Sequence, residues 1–287
     1  MGLKTIVKTP STLIEILQEL YPQSPRTRIK KLLQHNNVIC NGKVVTQHSF
    51  KLNANDVVEI KASSDTPRTE APPYRILYED NDVIVIDKPA GLSTSDTDNN
   101  PNVYSTLSHY VKAQSKGITK AFLVHRIDRD VSGALLFAKS KEAMDTLQAN
   151  WEKTEKLYYA LVEGKPEEPE GTIESWLVED KNFKVHSTQR ESEHAKFSVT
   201  HFRTLKQFDK HTLLEIDLET GRKNQIRVHL SDIGCPIVGD IKYGATKGFG
   251  NRVRLHSFSI TFQHPITKEE YRVESALPKG FLFLDNK

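Results

Sequence analysis

Segments with the pattern of β-strands dominate the chain beyond residue 75, and this feature constrains the fold most. DVIVIDKP, GALLFAKS and KLYYALVEG are apolar runs, whereas HTLLEIDLETG alternates, with Leu214, Ile216 and Leu218 on one face. The segment KEAMDTLQANWEK instead has apolar residues at helical spacing. Because strands outnumber helices and regular βαβ alternation is lacking, we predict an α+β fold with a mixed, largely antiparallel sheet.

The first 62 residues have the pattern of a separate, small α+β unit. Ser11 and Thr12 followed by Glu15 resemble a capping box, which predicts that a helix starts there. VICNGKVV predicts a hairpin, because Asn41 and Gly42 supply the positive φ angles of a tight turn. NDVVEI predicts a further strand.

Basic residues concentrate in this N-terminal unit. It carries nine Lys and Arg against four Asp and Glu, a net charge of +5, whereas the remaining residues sum to −2. A second helix is predicted to begin at Ser24-Pro25 and carries four of the cations. With the hairpin turn, the candidate RNA-binding residues are Arg26, Arg28, Lys30, Lys31 and Lys43. A basic unit on a near-neutral body indicates contact with an RNA backbone more than a merely solvated face.

A proline-containing stretch separates this unit from the strand-rich body. ASSDTPRTEAPPY, residues 62–74, has three prolines, little apolar content and no period, which is typical of a linker. We therefore predict an RNA-binding domain at residues 1–62, a linker at 63–74 and a larger, strand-rich domain at 75–287.

Several classes of protein are disfavoured by the composition. No apolar run approaches the roughly 18 residues of a membrane-spanning helix, and no apolar leader is present at the N-terminus. Cys40 and Cys235 lie too far apart in sequence for a metal motif or a disulfide framework. We expect a cytoplasmic protein and a monomer.

The stretch HRIDRDVSG, residues 125–133, crowds two acids and two arginines between the apolar runs AFLV and ALLFA. Asp128 could belong to a solvated turn or to an ion pair that contributes little stability. Alternatively it is an ionised carboxylate that does chemistry, which requires a nearby cation because burial raises a carboxylate pKa. Position alone does not decide between these hypotheses.

The stretch resembles the H-R-L-D-x-x-T-S-G signature of the RluA-type pseudouridine synthases. Four further resemblances follow the family order, carried by NDVIVIDKPAGL, EKLYYALVEG, LETGRKNQIRVHL and the pair GDIKYG with RLHSFSITFQHP. Together they span roughly residues 75–280, and residues 1–62 resemble the small RNA-binding domain named after ribosomal protein S-four.

The resemblance implies the pseudouridine synthase fold and roles for three catalytic residues. Asp128 takes the catalytic position, where it either attacks the substrate covalently or removes a proton from the ribose. Tyr158 is expected to lie against the uracil face, and Arg227 is expected to pair with Asp128, which lowers the carboxylate pKa. The reaction is an isomerisation and requires no metal or cofactor.

The same resemblance assigns further residues. Arg126 is expected to help hold the target base out of the RNA helix, and Arg222 and Gln225 are further candidate RNA contacts. His125 is expected to be structural. The pair Lys223-Asn224 stands where relatives carry Thr-His or Ser-His, which alters local hydrogen bonding.

Other functions remain as alternatives. One is a non-catalytic RNA-binding or ribosome-assembly protein on a synthase scaffold. Another is a glycoside hydrolase, which needs two cooperating acids at a defined separation that Asp128 and Asp130 do not establish. For a synthase, large-subunit ribosomal RNA is the favoured substrate and transfer RNA is the alternative.

Overall fold

Three β-sheets organise the part of the chain that the computed structural model describes, which is residues 3–21, 33, 38–60, 72–96, 100–115, 117–246 and 252–282. The chain divides into two units, Met1–Thr69 and Glu70–Lys287. The smaller unit contains a four-stranded and a two-stranded sheet, and the larger unit contains an eleven-stranded sheet. Of the predicted linker, only residues 72–74 are among the described ones.

Among the described residues of the smaller unit, a helix packs against short strands. Its elements are β1 (Leu3–Ile6), β2 (Ser11–Thr12), α1 (Leu13–Leu20), β3 (Val38–Cys40), β4 (Lys43–Val44), β5 (Lys51–Leu52) and β6 (Val57–Ile60). The carboxylate of Glu15 accepts hydrogen bonds from the N–H and the hydroxyl of Thr12, both at 2.7 Å, so the predicted capping interaction is confirmed. Asn41 and Gly42 have φ angles of 47° and 80°, as the hairpin requires.

The larger unit is built on one sheet flanked by helices. Its strands are β7 (Arg75–Glu79), β8 (Val83–Lys88), β9 (Phe122–Leu123), β10 (Ser132–Ala138), β11 (Glu155–Glu163), β12 (Glu170–Glu179), β13 (Val185–Thr188), β14 (Lys196–Gln207), β15 (His211–Leu218), β16 (Leu255–Gln263) and β17 (Glu270–Glu274). Its helices are α2 (Val103–Gln114), α3 (Lys141–Ala149) and α4 (Gln225–Asp232), with 3-10 turns at Trp151–Lys153 and Ile241–Tyr243.

The strand order is β13-β12-β14-β15-β11-β16-β10-β8-β7, with β17 beside β16 and β9 beside β10. The pairing of β10 with β16 is parallel, and the other strand pairs of the described residues are antiparallel. This architecture confirms the predicted α+β class with a mixed, largely antiparallel sheet.

Strands β8 and β10 are nearly continuous apolar runs because both faces of the sheet are covered there. Leu135 and Phe137 of β10 belong to a core that includes Leu107 of α2. Leu136 projects to the other face and joins a core that includes Leu147 of α3. All seven residues of β10 are buried, so the strand is a rigid support for the loop that precedes it.

Gly133 shows why a glycine ends the HRIDRDVSG stretch. Its φ is +115°, and an added Cβ would lie 2.2 Å from the carbonyl oxygen of Ser257, its partner in the parallel pairing. Any side chain would therefore separate β10 from β16. Among the described residues, no helix combines the length and the apolar character that crossing a membrane requires.

Candidate active site

A loop at residues 124–131 connects β9 to β10 and carries the acidic and basic residues of the HRIDRDVSG stretch. The hydroxyl of Thr94 donates to the carbonyl oxygen of Ile127 at 2.7 Å. The N–H of Gly91 donates to the carbonyl oxygen of Arg129 at 2.8 Å. The segment that follows β8 therefore holds the backbone on both sides of Asp128.

Lys88 at the end of β8 adds a third anchor to this loop. Its ammonium group is fully buried and donates to the carbonyl oxygens of Pro89, Leu92 and Arg129, at 3.0, 2.7 and 3.1 Å. Burial lowers the pKa of Lys88 to about 8, against the opposing effect of the Asp130 and Asp128 charges. Lys88 lies in one of the motifs that carry the resemblance, but no role was predicted for it.

The Asp128 side chain is 27% exposed, and its Oδ2 lies 3.6 Å from Nη1 of Arg227. Burial raises the pKa of Asp128, whereas Arg227 and Arg126 lower it and Asp130 adds to the rise. The predicted pairing with Arg227 is present, but the net direction of the pKa is upward because desolvation outweighs the arginines. A carboxylate in this environment is less stabilised, and so more reactive, than one in water.

Arg227 lies on α4, and its strongest partner is Asp240. Nε and Nη2 of Arg227 donate to the two carboxylate oxygens of Asp240 at 2.6 and 2.7 Å, and Nη1 donates to Oδ1 of Asn224 at 3.2 Å. The guanidinium lies 5.0 Å from the ring centre of Tyr243. Burial would lower the pKa of Arg227, but Asp240 reverses this and the pKa is raised. Asp240, which the sequence analysis did not single out, thus orients the arginine that faces Asp128.

Tyr158 on β11 is 8% exposed and lines the same cleft as Asp128. Burial raises the pKa of Tyr158 to about 12, with a contribution from the Asp128 charge, so the hydroxyl is neutral. Tyr159 projects to the opposite face and stacks on Phe258 at a centroid distance of 4.2 Å. The structure therefore places Tyr158, and not its neighbour, beside the carboxylate.

The cleft is narrow, with a volume of about 70 Å³. Apolar walls come from strands and from α4, and charged groups stand at its rim. The lining includes Arg126, Ile127, Asp128, Val131, Tyr158, Leu218, Arg222, Gln225, Ile226, Arg227 and Leu255. Arg126 and Arg222 are exposed, so their side chains are available to a ligand at the mouth of the cleft.

Gln225 is buried and its amide is fully engaged. Its NH₂ group donates to the carbonyl oxygen of Val199 and to the hydroxyl of Thr200, both at 2.9 Å. Its oxygen accepts from the Thr220 hydroxyl at 2.8 Å and from the Arg222 N–H at 3.0 Å. Because an amide has two donors and two acceptor sites, the structure gives Gln225 a positioning role in the turn before α4, in place of the expected RNA contact.

The N-terminal candidates are only partly described. Lys43 lies exposed on β4, directly after the hairpin turn. Arg26, Arg28, Lys30 and Lys31, together with the predicted helix start at Ser24-Pro25, lie outside the described residues.

His125 supports the loop and has no acid–base role in this arrangement. Its Nε2 accepts the backbone N–H of Leu136 at 3.0 Å, and its ring stacks on Trp151 at 4.5 Å. Burial lowers the pKa of His125 to about 3, and the charge of Lys156 adds to the shift. The side chain is therefore neutral, which agrees with the expected structural role.

We expect the larger unit to lose stability when the pH falls below about 6.5, the ordinary histidine pKa. Burial lowers the pKa of His125 to about 3 and of His229 to about 4, and also lowers that of His256. These groups bind protons in the unfolded chain before they do in the folded one, so each costs up to about 1.4 kcal/mol per pH unit below that point. Urea unfolding between about pH 7 and pH 5 measures the slope, and a stability independent of pH in that window would contradict the expectation.

One group of described residues, Asp80, Asp82 and His264, brings three possible metal ligands together. However, Nδ1 of His264 accepts the N–H of Thr267 at 3.1 Å, and Nε2 faces Asp80 at 2.9 Å. Both ring nitrogens are thus used within the protein, and we assign no metal to this group.

Comparison with known proteins identifies the class that this fold and cleft define. Residues 82–232 match the RNA pseudouridylate synthase family and residues 12–58 match the S4 domain, and the chain belongs to the RNA pseudouridylate synthase family. It is 33% identical over 300 residues to Ribosomal large subunit pseudouridine synthase D of Yersinia pestis, across 95% of this chain and 89% of that protein. The resemblance to RluA-type synthases is therefore confirmed.

Two further comparisons support the assignment. An uncharacterized RNA pseudouridine synthase of Bacillus subtilis, YhcT, is 38% identical over 229 residues, covering 78% of this chain and 74% of that protein. The solved structure of Human RNA Pseudouridylate Synthase Domain Containing 4 superposes with a TM-score of 0.61 at 25% identity, covering 72% of this chain and 90% of that one.

Proposed function

We propose that this enzyme isomerises specific uridines of large-subunit ribosomal RNA to pseudouridine, with Asp128 as the catalytic carboxylate. The observation that carries the proposal is the placement of Asp128 in a narrow cleft, opposite Arg227 and beside Tyr158. The names of several relatives support the choice of ribosomal RNA.

The reaction explains the kind of residue that the cleft presents. The bond between ribose C1′ and uracil N1 breaks, a bond between C1′ and C5 forms, the proton on C5 is lost and N1 gains one. Asp128 either attacks the sugar or removes a proton from it, and both routes use an ionised carboxylate at this position. The Arg227 guanidinium, held by Asp240, keeps that negative charge in place within a cleft that would otherwise favour the neutral acid.

The walls of the cleft fit a base that has left the RNA helix. The ring of Tyr158 offers a face for the uracil, and Leu218 and Ile226 exclude water around it. Arg126 is exposed at the mouth of the cleft, where its guanidinium can fill the space that the extruded base leaves in the RNA helix. Arg222 at the same rim is placed for a phosphate contact.

Residues 1–62 act in this proposal as a separate RNA-binding domain, joined by the linker at 63–74 to a catalytic domain at 75–287. The cations predicted on its second helix, with Lys43, contact the phosphate backbone. We propose that the enzyme acts as a monomer, and a ribosomal RNA substrate supports a cytoplasmic location.

The choice of substrate is tested with three RNA fractions from cells that lack the gene: large-subunit ribosomal RNA, small-subunit ribosomal RNA and transfer RNA. Each is incubated with the purified enzyme, and pseudouridine is mapped by its carbodiimide adduct, which stops reverse transcription. We expect new stops at one or a few uridines of the large-subunit RNA. Stops in transfer RNA alone would identify transfer RNA as the substrate in place of ribosomal RNA. No stops in any fraction, although the protein binds RNA, would favour the non-catalytic assembly factor.

A further inference from the structure

Phe183 lies at the tip of the hairpin between β12 and β13 and is unusually exposed for a large apolar side chain. It is 73% exposed, and its backbone φ is +59°. A bulky residue in the left-handed region is strained, and such strain persists only where the surrounding structure imposes it. The positive φ serves the hairpin turn, whereas the exposure of the ring contributes nothing to the fold, which suggests a role for the ring at the surface.

Hydrogen bonds fix the backbone at the tip of this hairpin. Oδ1 of Asp180 accepts the backbone N–H groups of Asn182 and Lys184 at 2.8 and 2.9 Å. The N–H of Phe183 donates to the carbonyl oxygen of Asp180 at 3.0 Å, and the Lys242 ammonium donates to the carbonyl oxygen of Phe183 at 3.1 Å. These contacts fix the backbone and leave the ring presented to solvent.

Cations surround the exposed ring. The ammonium of Lys223 lies 5.8 Å from the ring centre of Phe183 and pairs with the exposed Glu179. Lys242 is exposed beside the tip, and Lys181 is exposed within it. We call residues 180–184 with Lys223 and Lys242 the Phe183 platform. Because an exposed ion pair is weak, Lys223 can exchange Glu179 for a phosphate.

Contacts through Tyr243 connect the platform to the catalytic carboxylate. The hydroxyl of Tyr243 accepts from the backbone N–H of Val185 at 3.3 Å and from the side chain of Asn224 at 3.0 Å. The ring of Tyr243 contacts Arg227, which faces Asp128. Asn224 and its neighbour Lys223 stand where relatives carry Thr-His or Ser-His, and both contact residues that connect the hairpin to the site.

We propose that the Phe183 platform binds RNA next to the target uridine, with the ring stacked on an unpaired base and Lys223 and Lys242 on the phosphates. Proteins bind single-stranded RNA with aromatic rings, on which the bases stack, and with cations, which contact the phosphates. The platform offers both. The inference rests on the proposed function for its substrate.

The test compares Phe183→Ala, which removes the aromatic ring, with Phe183→Trp, which keeps one. Both variants retain a Cβ, so the backbone constraint at φ +59° is the same in each. Ile266→Ala is the matched control, because Ile266 is an apolar residue, 49% exposed, in the turn between β16 and β17. Affinity for large-subunit ribosomal RNA is measured by filter binding in the Asp128→Asn background, and KM and kcat are measured with Asp128 present.

We expect Phe183→Ala to weaken RNA binding about 5- to 150-fold, the equivalent of about 1–3 kcal/mol of base stacking, and to raise KM with kcat unchanged. Phe183→Trp and Ile266→Ala should bind as the parent does. Replacing Lys223 and Lys242 with Gln should reduce the dependence of log affinity on log salt by up to about 1.4, since each single-strand phosphate contact contributes about 0.7.

The outcomes separate this proposal from the function on which it rests. Equal RNA affinity of Phe183→Ala and its parent would overturn the platform, as would a Phe183→Trp variant that binds as weakly as Phe183→Ala. A wild-type enzyme that forms no pseudouridine, although RNA binding still depends on the ring at position 183, would overturn the proposed function alone. Such a result would leave the platform as the contact of an RNA-binding protein.

Discussion

Replacing Asp128 with asparagine is expected to reduce pseudouridine formation by at least about 10⁴-fold, the scale at which an enzyme loses its nucleophile or essential base. Asparagine has the same shape, but it can neither attack the sugar nor take its proton. RNA affinity should be unchanged, because the contacts assigned to RNA lie on other residues. The measurement is a single-turnover assay on large-subunit ribosomal RNA, with the variant in excess over the RNA.

The same substitution is expected to make the folded protein more stable near neutral pH. Burial raises the pKa of Asp128 above its unfolded value, so the ionised carboxylate costs free energy in the folded state. That cost is present above the folded pKa and disappears at low pH, below about 3.9, where the group is protonated in both states. Thermal unfolding should therefore show a higher Tm for Asp128→Asn at neutral pH and no difference in acid.

Asp130→Asn is the control for both measurements, since Asp130 lies in the same loop and is partly exposed. It should retain activity. An Asp128→Asn enzyme within about tenfold of wild type would contradict the assignment of Asp128, because that difference is only about 1.4 kcal/mol of transition-state stabilisation.

Replacing Asp240 with asparagine is expected to destabilise the larger unit by about 3–5 kcal/mol, because it leaves the Arg227 charge buried without its partner. The Arg227 and Asp240 side chains are only 7% and 1% exposed. For a unit of this size, the change lowers Tm by about 6–20 °C. The double variant Arg227→Met with Asp240→Asn should cost less than the sum of the two single variants, since it removes the unpaired charge.

The Asp240→Asn enzyme should also lose activity at temperatures where it is folded. Without the bidentate contact the guanidinium can move away from Asp128, and a displacement of about 1 Å costs about 10²-fold in rate. We expect the loss in kcat and not in KM. The control is Arg203→Met, which removes an exposed pair with Glu215 and should cost under about 1 kcal/mol. A cost that small for Asp240→Asn would refute the account of the buried pair.

The parts of the fold that the sequence predicted are those that local chemistry determines. The buried strands are continuous apolar runs because both sheet faces are covered, and Asn41-Gly42 encodes its own turn. Helix α2 was not predicted. Its buried residues, Val103, Leu107 and Val111, form a single line four residues apart among polar ones, a weak signal that becomes a helix by packing against the sheet.

The site residues were predicted from sequence motifs. Motifs do not show which residues from distant segments contact each other. Asp240 meets Arg227 because a 3-10 turn folds back against α4, and no local pattern announces that pairing. Lys88 likewise bonds to a carbonyl 41 residues away. The rise in the pKa of Asp128 depends on how deeply the surrounding strands bury it, which the sequence does not encode locally.

The central claim is that Asp128, held opposite Arg227, converts uridine to pseudouridine. Its most direct test is the pseudouridine content of large-subunit ribosomal RNA from cells lacking the gene, measured by nucleoside chromatography after incubation with wild-type, Asp128→Asn or Asp130→Asn protein. We expect new pseudouridine with the wild type and with Asp130→Asn, and none with Asp128→Asn at equal RNA binding. Equal amounts from wild type and Asp128→Asn, or none from the wild type, would contradict the claim.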